Sequence, residues 1–362
     1  MAYQKALWIS SCCDRMSQRI PLNRIDLGVA MRRLLVYLTL FVLALPGLCQ
    51  NPKAGTTGGS ALRIGVGTRT ASMGNTFTGI ADDVSSIYWN PAGLGQLERP
   101  QLSIMGANWL GGVRHGWIGF AQSMGRWLSV GADISYLWTG DILRTVESES
   151  DVGRYQEMGT FNYSDMVIRA AAGSGEYKGV RIGAAFQVSQ QGINYSTTSP
   201  LQQVRWNHVN LGLIYRPPVK NLRLGLGIFN IGSTEQSYLD QQISIPRSIR
   251  LGGSYTVTID MPGTTSTTGD RSMPQLSQNY LTVGADLDFR QDDSMQTHLG
   301  LEYVFNNGFA VRGGYRGRTD FEFLSNLSGG FGYATRAYQI DYAFVPFGEI
   351  GNAHRVSLSL DF

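Results

Sequence analysis

The sequence predicts an all-β fold, a transmembrane antiparallel β-barrel of about 14 strands with an amino-terminal plug in its lumen. Three observations predict it. The chain ends in His354-Arg-Val-Ser-Leu-Ser-Leu-Asp-Phe362, where Val356, Leu358, Leu360 and Phe362 share one face of a strand that stops on an aromatic carboxy-terminus. At the other end, Met31-Arg32-Arg33 precedes the apolar run Leu34 to Leu45 and then Pro46-Gly-Leu-Cys49-Gln50, the basic, apolar and small-x-small regions of a secretory signal. Between them the composition is 43% hydrophobic with only 16% charged residues. Soluble chains carry about 25% charged residues, so a lipid-facing belt accounts for the deficit.

The expected organisation is an upstream extension at residues 1–30, a signal peptide at 31–49, an amino-terminal hatch at 50–98 and the barrel at 99–362. A long n-region is the alternative reading of 1–30. The apolar run is shorter than the roughly 20 residues a membrane helix needs, and no later window approaches that length. Cleavage after Cys49 removes Cys12, Cys13 and Cys49 together, leaving no thiol for disulfides. Leu48 is bulky where an acylated cysteine is preceded by a small residue, which argues against a lipoprotein. A net charge of +3 without any Lys/Arg cluster excludes a nucleic-acid partner.

From residue 101 onward the chain divides into period-2 segments separated by Gly, Pro, Asn or Asp. Strands are expected at 101–110, 112–123, 126–139, 159–174, 178–193, 204–216, 221–233, 247–258, 279–290, 295–306, 308–317, 326–335, 336–346 and 353–362. The even count places both ends of the sheet in the periplasm. Facing is clearest in the last third. Leu281, Val283, Ala285, Leu287 and Phe289 face lipid, and Thr282, Gly284, Asp286 and Asp288 face inward. The next two strands put His298, Gly300, Glu302, Arg312, Gly314 and Arg316 inward. Asp286, Asp288 and Glu302 are therefore expected to meet Arg312 and Arg316 in a cross-strand charge ladder that packs the lumen.

Inward glycines at Gly131, Gly183, Gly212, Gly225, Gly227 and Gly252 leave room for something other than wall side chains. Trp109, Trp127, Trp138, Tyr215 and Tyr342 stand near strand ends, where amphipathic rings suit the membrane interfaces. Two connections are long. The outer one at 140–158 carries Glu147, Glu149, Asp151 and Arg154 and is the expected partner contact. The inner one at 259–278 is rich in Thr, Ser, Gly and Pro.

Residues 50–98 do not read as strands. Asp82 or Asp83 is placed to cap a short helix through Val84 to Trp89, which Asn90-Pro91 stops. The same stretch holds Gly65, Gly67, Arg69, Met73, Gly74, Phe77, Ala81-Asp82-Asp83 and Tyr88-Trp89-Asn90-Pro91-Ala92-Gly93-Leu94. This run resembles the amino-terminal signature of the PorV/PorQ-like family, outer-membrane barrels related to FadL-type long-chain fatty-acid transporters. The resemblance implies a fourteen-stranded barrel with an amino-terminal hatch. It further implies a noncatalytic role in type IX secretion, with a large translocon barrel and secreted cargo bearing carboxy-terminal signal domains as partners. Asn90-Pro91-Ala92 is shared with the transporters, which implies the alternative of passive passage of a hydrophobic small ligand across the outer membrane of a Gram-negative bacterium. Outer connections shorter than those transporters need for an apolar capture groove weigh against it.

Catalytic, metal and cofactor chemistry is not expected. His115, His208, His298 and His354 lie on different strands without i, i+2 or i+4 partners. Gly65-Val-Gly67 lacks the third glycine and the strand–helix context of a nucleotide fingerprint, and no Gly-x-Ser-x-Gly elbow occurs.

Overall fold

The computed structural model describes residues 57–147, 154–195, 202–232, 236–238, 241–243, 245–259, 278–317 and 323–362. The expected extension and signal peptide, Glu149, Asp151 and the connection 260–277 lie outside them. Fourteen antiparallel strands form the wall: β1 (Gln101–Asn108), β2 (Arg114–Ser123), β3 (Leu128–Trp138), β4 (Tyr155–Ser174), β5 (Val180–Tyr195), β6 (Gln202–Tyr215), β7 (Leu222–Gly232), β8 (Ser248–Ile259), β9 (Asn279–Arg290), β10 (Gln296–Val304), β11 (Phe309–Gly317), β12 (Leu327–Ala334), β13 (Tyr338–Pro346) and β14 (Asn352–Asp361). Each pairs with its sequence neighbours, and β1 pairs with β14 from Gln101–Asp361 to Asn108–His354, so the sheet closes. A small hairpin, Gln236–Tyr238 with Gln241–Ile243, stands in the β7–β8 connection.

Alternation sets the two faces as the sequence implied. On β14, Val356 (53% exposed) and Leu358 point out while Arg355 and Ser357 are buried. Ile104, Ile118, Ile182, Leu301 and Phe331 continue the exposed apolar belt around the wall. Closure satisfies the backbone across the bilayer, where an open edge would cost several kcal/mol for each unpaired group. No helix among the described residues is long and apolar enough to cross a membrane.

Two expectations about the wall need correction. Among its described residues, the outer connection 140–158 is mostly strand. Ile142–Glu147 continues β3 after a short break and pairs with Tyr155–Phe161 of β4 through one register shift. Glu147 lies opposite Tyr155 in this ladder, and Arg154 immediately precedes β4. The charges in this stretch suggested a loop. Beyond the membrane both faces of a sheet meet water, so charged residues sit in strands without penalty. With β4 spanning 20 residues and β5 16, this side of the wall rises well above the rest. Nine to eleven residues suffice to cross the bilayer.

The expected charge ladder also forms only in part: among the described residues Glu302 meets Arg312, with Arg312 Nε donating to Glu302 Oε1 at 2.7 Å. Strands β9 and β11 are separated by β10, and His298 stands between Asp286 and Arg316 in the register. Arg312 also donates to Asp341 on β13 (2.7 Å). Asp288 pairs instead with Arg250 and Arg290, and Arg316 donates to the Pro346 carbonyl while lying over Phe347. Trp109 likewise turns away from lipid to pack edge-on against Phe347.

Candidate functional site

Inside the wall lies the amino-terminal segment from Thr57 to Leu97, folded without strands. It contains two short helices, α1 (Thr68–Ser72) and α2 (Ser86–Trp89), and 3-10 turns at Ser60–Arg63 and Pro91–Gln96. Its residues Val66, Met73, Phe77, Ile80, Ile87 and Leu94 are fully or almost fully buried and form, with wall residues such as Met105 and Trp117, the main apolar core. The core of this barrel is therefore supplied largely by a segment that precedes it.

The segment begins at the outer end. The Gly59 amide donates to Gln191 and the Ala61 amide to Asp165, each at 2.9 Å. Arg63 pairs with Asp292 in the β9–β10 connection. The chain then crosses toward the periplasmic end, and each motif residue acquires a local physical role. A Cβ on Gly65 would stand 2.5 Å from the Trp89 ring, and the Gly65 carbonyl accepts from Arg355. Gly67 precedes α1 with φ +84°, and Thr70 Oγ1 donates back to Val66 and Gly67. Gly74 has φ +67° and lies flat against β10 and β11, where a Cβ would be 2.8 Å from the Tyr315 nitrogen. Its carbonyl meets His298 Nδ1 at 2.8 Å.

Arg69 is the electrostatic centre of the segment. It grips Glu302 with two parallel hydrogen bonds, Nε to Oε1 at 2.8 Å and Nη2 to Oε2 at 2.7 Å. Its Nη1 reaches Asp82 (2.5 Å) and Asp83 (3.3 Å). Burial disfavours the cation, but the carboxylates of Asp82 and Glu302 hold it protonated well above its ordinary range. Burial pushes the Asp83 carboxyl up, against the pull of Arg69. Asp83 also accepts from the Ser85 amide at 2.8 Å, ahead of α2. The expected helix is thus confined to one turn.

Asn90 follows that turn and ties three backbones together. Its Nδ2 donates to the carbonyls of Thr78 (2.9 Å) and Leu213 on β6 (3.1 Å), and its Oδ1 accepts from the Ala92 amide (3.2 Å). Pro91 and Ala92 press against Gly183 and Gly212, where any Cβ would overlap Ala92 or Asn90. Gly93 leaves no room for a Cβ beside the Ala81 carbonyl. Gly225 meets Thr78, Gly252 meets Thr78 and Asp286, and Gly131 meets Ile87. Gly227 differs, its space being taken by the wall side chain Phe229. The inward glycines mostly form the seat of the segment.

Asp286 accepts from the amides of Phe77 and Thr78, both at 2.8 Å, rather than from the expected arginines. Sequence reasoning missed the buried network Trp117–Asp133–Arg169–Gln187, whose Arg169 lies over the Tyr88 ring of the segment at 4.9 Å. It also missed Asp165, Arg250, Asp341 and Arg355. All stand at inward positions of their strands, so a charged residue on the small or polar face was the available signal. His115 and His208 each meet a serine hydroxyl, Ser135 and Ser189, and no metal-binding group of His, Cys, Asp and Glu occurs among the described residues.

Among the described residues, two cavities of ≈ 20 Å³ each stand between segment and wall. That is room for about one water molecule. One, at the periplasmic half, is lined by Arg69, Asp83, Trp117 and Asp341; the other, at the outer half, by Arg63, Tyr88, Phe229 and Arg250.

Comparison with known proteins places this architecture. The pattern of the Uncharacterised protein family (UPF0164) matches residues 44–208, which include the interior segment and the first strands. No curated protein matches the chain in sequence. Among solved structures, the Ralstonia pickettii toluene transporter TbuX superposes with a TM-score of 0.53 at 14% identity, over 82% of this chain and 97% of its own. The Pseudomonas putida toluene transporter TodX gives 0.54 at 11%, over 82% and 99%. The CymD monoaromatic hydrocarbon channel gives 0.52 at 13%, over 82% and 96%. A closed fourteen-stranded wall with an apolar outer face and this likeness make the chain an outer-membrane β-barrel with the fold of these transporters and channels.

Proposed function

We propose that the protein is a noncatalytic outer-membrane conduit for hydrophobic small molecules, with residues 50–98 acting as its hatch. The observation that carries this reading is the way the lumen is closed. Wall side chains do not fill it; a segment of the same chain does, seated on glycines and held by hydrogen bonds and ion pairs that can exchange with water. The solved barrels of the same fold are toluene transporters and a monoaromatic hydrocarbon channel, which supports a ligand of that class.

A disulfide lock tests it. A Cβ on Gly300 would lie 3.0 Å from that of Thr76 and 2.8 Å from the Met73 carbonyl oxygen, so a shift of about half an ångström in the segment brings the pair into the range a disulfide accepts. In proteoliposomes, Thr76→Cys/Gly300→Cys is expected to stop toluene uptake when oxidised and to restore it when reduced. Uptake indifferent to the lock would sink the hatch, and absence of uptake in the wild type would sink the conduit.

A second reading, PorV-like service in type IX secretion, rests on the Ala81-Asp82-Asp83 and Trp89 to Leu94 signature and on the projecting β3–β6 wall. Above the rim that wall exposes Ile142, Leu143, Val146, Tyr155 and Met158, a surface suited to a translocon barrel or secreted cargo. Affinity purification from native outer membranes in mild detergent separates the readings. A very large barrel or cargo with a shared carboxy-terminal domain favours secretion; a lone barrel carrying hydrocarbon or lipid favours transport.

A further inference from the structure

The outer of the two cavities has features that neither reading uses. At Asn230, β7 carries a bulge: its register with β6 shifts between Val209 and Leu211, and Asn230 adopts φ +60°. The extra residue turns two successive side chains, Phe229 and Asn230, into the lumen, both buried. With Leu62, Tyr88, Pro246 and Ser248 they border the cavity, and Arg63, Arg250 and Arg290 line it; no acid does.

The nearby carboxylates sit on the other edges of these guanidinium groups. Asp288 Oδ2 accepts from the Nε atoms of Arg250 (3.2 Å) and Arg290 (2.8 Å), and Asp292 takes Arg63. Arg250 is 6% exposed, its Nη1 is buried with no protein partner, and its guanidinium lies over the Phe229 and Trp89 rings at 4.6 and 5.0 Å. The amides of the cavity are already engaged: Gln187 with Arg169, Asn210 and Asn230, and Asn230 with the Pro246 carbonyl. What remains to be met in this cavity is a donor on a cation. A weakly hydrated guanidinium with a free edge in an acid-free hollow selects a negatively charged acceptor.

We propose that this cavity binds one small monovalent anion, held by Arg250 Nη1 beside Arg290 and Ser248. A volume of ≈ 20 Å³ is room for one small ion or a single carboxylate group. Because Leu62, Arg63 and Tyr88 belong to the interior segment and Ser248, Arg250 and Arg290 to the wall, the anion bridges the two. Occupancy stabilises the seated segment by mass action. This inference does not depend on whether the lumen conducts.

Bromide is the probe. Crystals of the intact protein grown in bromide are expected to show an anomalous peak in hydrogen-bond reach of Arg250 Nη1. In solution, bromide added to chloride-free buffer is expected to slow proteolysis of the segment. Arg290→Gln, at the rim, is expected to weaken the effect on the order of tenfold without unseating the segment. Arg250→Met abolishes the peak, and the rim variant keeps the test valid if Arg250→Met misfolds. Acetate and octanoate then identify the source. Equal affinities indicate a free anion; octanoate binding tenfold tighter indicates the head of a chain whose tail leaves the cavity, since ≈ 20 Å³ holds the carboxylate alone. Ordered water at Arg250 at saturating bromide, with no change in proteolysis, overturns the proposal.

Discussion

Replacing Asn90 by alanine should unseat the segment without unfolding the wall. Asn90 is fully buried, and its amide makes three hydrogen bonds, to Thr78 and Leu213 carbonyls and from the Ala92 amide. Alanine satisfies none of them and leaves two carbonyls and one N–H buried together. At about 1 kcal/mol net for each bond, the seated state loses about 3 kcal/mol, and more where the orphaned groups stay dry. That is roughly a hundredfold change in the ratio of seated to unseated segment. The strands keep their ladders, because among these partners only the Leu213 carbonyl belongs to the wall. Hydrogen exchange by mass spectrometry is the assay: peptides covering 78–97 should lose about two decades of protection in Asn90→Ala, while those from β9–β11 keep theirs. Asn90→Asp retains the acceptor for Ala92 but turns a carboxylate oxygen toward both carbonyls in a buried site, so it should lose at least as much protection. Wild-type protection of 78–97 in Asn90→Ala would refute the idea that this side chain holds the segment.

The glycine seat gives a steric counterpart. Gly212→Val, whose Cβ overlaps Asn90, should leave a heat-modifiable barrel on gels while exposing residues 57–97 to protease; intact protection would contradict the packing. Arg69→Met leaves Asp82, Asp83 and Glu302 without their shared cation; about 3–5 kcal/mol for a buried pair is the upper bound, because Glu302 keeps Arg312 and the two aspartates are partly exposed. Faster proteolysis of the segment than in Arg69→Lys is the expected readout, since lysine keeps the charge and loses the two-pronged grip on Glu302. For Asp83 the sign follows from its raised carboxyl: the seated state holds a proton that the released one gives up. Its contribution is therefore complete below the ordinary carboxylate value of 3.8 and is lost as pH rises through the raised value. Protease protection measured across that window should vary less in Asp83→Asn than in wild type; identical profiles would remove Asp83 as the cause.

Much of the wall was legible because a lipid-facing strand must alternate. Period-2 patterning located all fourteen strands within a few residues and assigned Thr282, Glu302 and Arg312 to the interior. It failed where the membrane stops imposing alternation, at 142–147 and 155–158, whose charges look like a loop. Partners inside the lumen were less accessible. The inward position of Asp286 could be read, but its contact with two backbone amides of a segment more than 200 residues earlier could not.

The sequence by itself determined an alternating, apolar-faced wall, glycines on its inner side and an amino-terminal segment of unusual specificity. Those are local properties, set by side-chain period and by the residue types a turn or a close approach tolerates. Only the tertiary structure decided what met what: that Gly183 and Gly212 seat Pro91 and Ala92, that Arg69 closes on Glu302, and that a bulge at Asn230 opens a hollow beside Arg250. The reason is geometric. Closing fourteen strands fixes which inward positions share a height in the lumen, and a strand pattern specifies the face of a residue without specifying its neighbours across the barrel.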